Sequence, residues 1–105
     1  MKLKTIPKEW GTEYWYAQEP EYGAKVLIIQ KDKSTSLHYH EVKKETLFVW
    51  AGNITLELDD QKIHMAEGTI VTIKPGQKHR IMAHLNHTVI LEVSTPQLDE
   101  RVRIE

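Results

Sequence analysis

Apolar and polar residues alternate along much of this chain. In Asn53–Asp59, Ile54, Leu56 and Leu58 fall on one face and Thr55 and Glu57 on the other, the period of a half-buried strand. Asp59 and Asp60 read as a tight turn into Gln61–Met65, where Ile63 and Met65 again share a face. Ala24–Lys31 and Thr88–Thr95 are richer in Ile, Val and Leu, which predicts more deeply buried strands. Thr69–Ile73 is β-branched, a composition that packs well on a pleated surface and poorly in a helix. Turn residues separate these runs at Ala51-Gly52-Asn53, Glu67-Gly68, Lys74-Pro75-Gly76-Gln77 and Leu85-Asn86. Apolar spacings of three and four are nowhere sustained, and Glu41–Glu45 offers at most one turn of helix. Short strands at this spacing, about eight of them, predict an all-β sandwich or barrel.

The chain has 105 residues, 40 % hydrophobic and 28 % charged, enough for one core and therefore one domain over 1–105. Within it the pattern suggests an N-terminal arm over 1–20, a barrel over 24–95 and a tail over 96–105. Fourteen basic and fifteen acidic side chains give a net charge of −1, which speaks against a nucleic-acid partner. No apolar run approaches the roughly 18–20 residues of a membrane span, so no membrane partner is expected. Lys2 and Lys4 have no apolar stretch behind them, so the N-terminus does not read as a signal peptide and a cytoplasmic location is expected. Cysteine is absent, so a metal site would have to use histidine and carboxylate.

Six histidines are present, and their placement matters more than their number. His38 and His40 lie two apart on a predicted strand, Thr35–His40, and so share a face. Glu45 follows at the start of the next strand, and His79 follows the Pro75-Gly76 turn. Three imidazoles and one carboxylate suit one divalent transition metal ion (Zn, Mn, Fe or Ni) better than a hard oxygen-seeking ion such as calcium. Four protein ligands on an octahedral ion leave positions open for water or substrate. His64, His84 and His87 sit beside turns and out of register with this group, which predicts solvent-facing rings.

These residues resemble the two motifs of the cupins. The first appears as His38-Tyr39-His40, four residues, Glu45, six residues, Gly52; the second as Gly68, five residues, then Lys74-Pro75-Gly76-Gln77-Lys78-His79. The pattern departs from the family at Lys74, where Pro usually stands, and at Ala83, where Asn does. The resemblance implies a small cupin-type jelly-roll β-barrel with a metal in its mouth. Glu9-Trp10-Gly11, Ser36–Glu45, Arg80, Glu92-Val93 and the tail Asp99–Ile104 are moreover similar to the cupin domain of type II mannose-6-phosphate isomerases. That similarity implies aldose–ketose isomerisation of a sugar phosphate with the metal as Lewis acid.

Such a reaction needs a base, and Glu92 is the candidate, although alternation against Leu91 and Val93 favours a solvent-facing side chain. Lys25 and Arg80 are candidates for binding the small-molecule ligand, a sugar phosphate or another anion. The same ligand set also fits an Fe(II)-dependent cupin dioxygenase, and a non-catalytic sugar-binding cupin is the third alternative. Trp10, Tyr14, Trp15 and Tyr16 cluster near the N-terminus and read as interface residues of a homodimer, with the N-terminal strand exchanged between subunits.

Overall fold

Eleven strands carry the regular structure of residues 2–105 in the computed structural model, and no helix occurs among the described residues. They are β1 (Lys4–Lys8), β2 (Gly11–Gln18), β3 (Gly23–Ile29), β4 (His38–Tyr39), β5 (Glu45–Ala51), β6 (Asn53–Leu58), β7 (Gln61–Ala66), β8 (Ile70–Ile73), β9 (His79–Ala83), β10 (Thr88–Ser94) and β11 (Val102–Arg103). Two antiparallel sheets result, ordered β1-β2-β3-β10-β5-β8 and β11-β4-β9-β6-β7. Strands distant in sequence lie side by side, β3 with β10 and β4 with β9, as a jelly roll requires. The sheets face each other across a core in which Ile29, Val49 and Ile90 of one meet Ile54 and Leu56 of the other, all five with no exposed surface. Each such side chain contributes roughly 1.5–3 kcal/mol by leaving water.

The alternation over Asn53–Asp59 is realised in β6, with Ile54 and Leu56 buried, and Asp59 enters the following turn at φ +54°. At Gly52, φ is +85°, and a Cβ there would lie 2.5 Å from Thr88 Oγ1, so this turn needs glycine. The predicted strand Thr35–His40 shrinks to the two residues of β4. Thr35 instead bonds Ile81 twice, N–H to carbonyl at 2.9 Å and Oγ1 from the Ile81 N–H at 3.0 Å, which holds the segment out of a regular ladder. Glu41–Glu45 forms no helical turn, because the N–H groups of Glu41, Val42 and Lys43 donate to the carboxylate of Glu100.

The aromatic cluster divides. Trp10 and Trp15 are buried within this one chain rather than exposed for a partner, Tyr14 is half-buried, and Tyr16 is exposed. The reason lies in β2, which pairs with β3 from Gly11↔Ile29 to Gln18↔Gly23 across a bulge near Trp15, while β1 pairs back onto β2. Residues 4–18 thus add two strands to the edge of the sheet beside β3. Among the described residues no helix is long and apolar enough to cross a membrane.

Candidate metal centre

His38 on β4, His40 just beyond it and His79 at the start of β9 meet on the wall of one cavity. The register places His38 directly opposite His79, and their ring centroids are 4.5 Å apart; His40 lies 5.0 Å from His38 and 5.2 Å from His79. One ligand nitrogen from each ring lies within 4.8 Å of the others. Each Nδ1 is anchored from behind by a backbone carbonyl: Ser36 for His38 and Gln77 for His79, both at 2.9 Å, and Glu100 for His40. A carbonyl can only accept, so Nδ1 carries the hydrogen and the Nε2 lone pair is left to ligate. His40 Nε2 is buried without a hydrogen-bond partner.

Glu45, at the start of β5, brings Oε1 to 3.2 Å from His79 Nε2 and 3.5 Å from His40 Nε2. Acceptors thus converge on one another with their hydrogens turned outward, an arrangement that is costly unless a cation joins them. Burial, reinforced by His79 and His40, pushes the His38 ring down to about 3, so that ring does not supply the positive charge as a proton near neutral pH. The donor set therefore fits a divalent transition ion, and the three histidines could hold it.

Behind Glu45 runs a buried chain of charge. Lys43, only 2 % exposed, places Nζ 3.0 Å from Glu45 Oε2 and 2.8 Å from Glu92 Oε2. Burial pushes Lys43 down, but Glu92 and Glu45 outweigh it and hold the ammonium charged. For Glu45, burial raises the carboxyl, yet His40, His79 and Lys43 together hold it well below its usual range. Glu92 differs: burial, helped by the negative Glu45, pushes it up to about 7 against the pull of Lys43 and Lys25. Its side chain faces the interior, opposite to the solvent-facing orientation expected, and it is Val93 that is exposed, at 53 %. Lys25, Lys43, Glu45 and Glu92 all border a cavity of about 470 Å³ between the sheets, which the three histidines also line.

Residues 25–93 match the Cupin domain family. The chain belongs to the cupins. No curated protein matches it in sequence, whereas solved structures resemble this cupin closely in fold. KdgF from Halomonas sp. aligns at 18 % identity and TM-score 0.79, covering 84 % of this chain and 80 % of that one. Streptomyces Pac13, described as a nucleoside dehydratase, aligns at 10 % and 0.83, covering 98 % and 85 %. Bacillus subtilis oxalate decarboxylase OxdC aligns at 13 % and 0.87 over 97 % of this chain, which spans only 30 % of that protein. At these identities the likeness concerns the fold alone.

The two cations expected to bind an anionic ligand border the cavity of this cupin, but both are engaged. Lys25 Nζ donates to the Leu98 carbonyl at 2.8 Å and lies 3.3 Å from Glu13 Oε1. Arg80 grips Glu57 through Nε and Nη2 at 3.0 and 2.9 Å and reaches Glu105 at 3.5 Å. His64 and His87 are exposed, and half-buried His84 bonds Thr55 Oγ1 at 2.7 Å, so these three stand outside the centre.

Lys43, Glu13 and Glu100 were not anticipated as site residues. Glu13 accepts from Trp15 Nε1 at 2.8 Å; burial raises its carboxyl, but Lys25, Trp15 and Lys8 more than offset this and lower it. Glu100 accepts three N–H groups of the loop joining His40 to Glu45, at 2.8, 2.8 and 3.0 Å; desolvation raises its carboxyl, but these bonds together outweigh it and lower it. A charged residue between two ligand positions is a signal that could have singled out Lys43; Glu13 and Glu100 depend on contacts that no local pattern reveals.

Proposed function

We propose that this cupin is a metal-dependent enzyme that moves a proton between adjacent carbons of a hydroxy-carbonyl compound, with a sugar phosphate as its substrate class and isomerisation as its reaction. His38, His40, His79 and Glu45 would hold the ion, which when bound supplies Lewis-acid polarisation of the carbonyl. The observation that carries the reading is the place of Glu92, a carboxyl buried on the wall of the cavity that the three histidines line and 2.8 Å from Lys43; its burial pushes it up to about 7, within reach of a base's task.

Glu92 takes a proton from the carbon bearing the hydroxyl and returns it to the former carbonyl carbon. The hydroxyl proton passes to the former carbonyl oxygen, so the product is an isomer and nothing is oxidised overall. Lys43 steadies Glu92 from one side and ties it to Glu45 on the other. The phosphate would be taken at the rim by Arg80, displacing Glu105, its longer contact at 3.5 Å, while Glu57 keeps the guanidinium aimed. Fold neighbours named as a decarboxylase and a nucleoside dehydratase show that this architecture supports enzymes.

The test is exchange of carbon-bound hydrogen with D2O, followed by NMR over a panel of aldoses, ketoses and their phosphates with the metal-loaded protein. Deuterium is expected next to the carbonyl of one phosphorylated sugar, and Glu92→Gln should lower the exchange at least about 100-fold while metal content stays unchanged. No exchange with any substrate or metal would leave a binding protein. Oxygen uptake by the Fe(II) form without exchange would make it a dioxygenase.

A further inference from the structure

Most of the charge around the cavity is already paired. Lys25 and Lys8 face Glu13 at 3.3 and 3.8 Å, Lys43 joins Glu45 to Glu92, and Arg80 is held by Glu57. Glu105 leans on Arg80, and three backbone N–H groups occupy the Glu100 carboxylate. Arg101 and Arg103 differ. Both border the cavity and both are exposed, so they stand where it meets solvent, and neither guanidinium has an acidic or hydrogen-bonding partner among the described residues. Of the carboxylates that border the cavity, only Glu9 is equally free among the described residues.

The backbone is anchored on either side of these two arginines. Before them, the Leu98 side chain is buried, its carbonyl accepts from Lys25 Nζ at 2.8 Å, and Glu100 holds the loop after His40. After them, the N–H groups of Ile104 and Glu105 both donate to the Leu37 carbonyl, at 2.8 and 3.2 Å. Between these anchors β11 pairs with β4 and sets Arg103 directly opposite His38, which is itself opposite His79. Residues opposite each other in a ladder share a face, so Arg103 belongs to the row that carries two of the three converging histidines. A short strand with fixed ends thus presents two unpaired guanidiniums beside the candidate metal centre.

We propose that Arg101 and Arg103 form a clamp for the phosphoryl group of a small ligand whose other end lies in the cavity. A guanidinium stays charged throughout the working pH range and offers a planar fork of N–H donors that matches phosphoryl oxygens. A phosphate monoester carries about −1.5 to −2 charges at neutral pH. Arg80, its charge already balanced by Glu57, falls short of that alone, whereas two unpaired guanidiniums meet it. A carboxylate, with a single charge, would leave one of the two unmatched. The clamp presumes the phosphorylated substrate class proposed for this cupin, adds two residues to Arg80, and works whether the sugar is isomerised or merely bound.

Calorimetric titration of the full chain as purified, at low salt, tests the clamp with inorganic phosphate, glucose 6-phosphate, glucose and acetate as probes. Both phosphates should bind, the ester more tightly, and glucose and acetate at least about 10-fold more weakly. Arg101→Gln and Arg103→Gln should each lower phosphate affinity at least about 10-fold, with circular dichroism and metal content unchanged. Arg103→Lys should recover only part of the loss, because an ammonium lacks the fork. Lys31→Gln, at an exposed turn away from the cavity, should change nothing. Inorganic phosphate bound as tightly as the ester would keep the clamp and make free phosphate its ligand. A wild type that bound neither phosphate, or an affinity unchanged in both glutamine variants, would overturn the proposal. The readout involves no turnover, so the clamp and the isomerase reading fail separately.

Discussion

Lys43 decides how the buried charges coexist. It sits between two carboxyl groups and is itself 2 % exposed, so its removal leaves buried Glu45 without its ammonium partner and pushes Glu92 further towards its neutral form. Breaking a buried pair in this way costs about 3–5 kcal/mol. Lys43→Met should therefore destabilise the metal-free protein by about that much in denaturant titrations, and Glu92→Gln in the same background should restore part of the loss. Additive effects would mean the three groups do not interact.

Glu92 has the opposite linkage to an ordinary salt-bridged carboxylate. Its folded value near 7 lies above the ordinary 4.5, so the folded state holds the proton more tightly than the unfolded one. Its contribution to stability is full below about 4.5 and declines as pH rises through 7. As a base it works only once deprotonated, so hydrogen exchange of the substrate should rise with pH through about 7 and level off above it. A profile flat from pH 5 to 9 would remove Glu92 from the reaction.

At the level of elements, the ligand loop depends on a segment far along the chain. Glu100 caps three N–H groups of the turn after His40 by its carboxylate and holds the His40 ring by its carbonyl. Nearby, β11 pairs with β4, and Gly76 N–H donates to the His40 carbonyl at 2.7 Å. Such outer partners typically contribute about 10–100-fold to metal affinity. Glu100→Ala keeps the carbonyl on His40 and removes only the carboxylate that caps the loop, so it should weaken metal binding by about 10-fold, the lower end of that range, in a chelator competition while the fold is kept; an unchanged affinity would show that the turn holds its shape unaided.

The same contrast explains what the sequence revealed. The ligand pattern was legible because His38, His40, Glu45 and His79 sit at fixed offsets around turns that the sequence marks, Gly52 and Pro75-Gly76 among them. Glu100 lies 60 residues from His40, and no periodicity points from one to the other. The inward face of β10 is hidden in the sequence for a related reason. Leu91 and Val93 are apolar yet face outward, so alternation alone placed Glu92 on the wrong side. A strand apolar on both faces does not tell which face is the core.

For the whole molecule, the two sheets divide the labour. Their facing sides provide the apolar core and, beside it, a cavity bordered by three histidines, three buried carboxylates and two buried lysines. So much buried charge weakens a small barrel, and a bound dication would join the converging acceptors that otherwise repel. The functional centre and the stability of the fold are thus coupled through the same side chains.

Metal stoichiometry after reconstitution is the most direct measurement of that coupling. Stripped protein incubated separately with Zn, Mn, Fe(II) and Ni, then desalted, should retain about one equivalent of at least one ion per chain, with a raised melting temperature. His79→Ala should retain almost none of it. Wild-type protein that kept no ion, or a His79→Ala variant that kept a full equivalent, would contradict the account at its root.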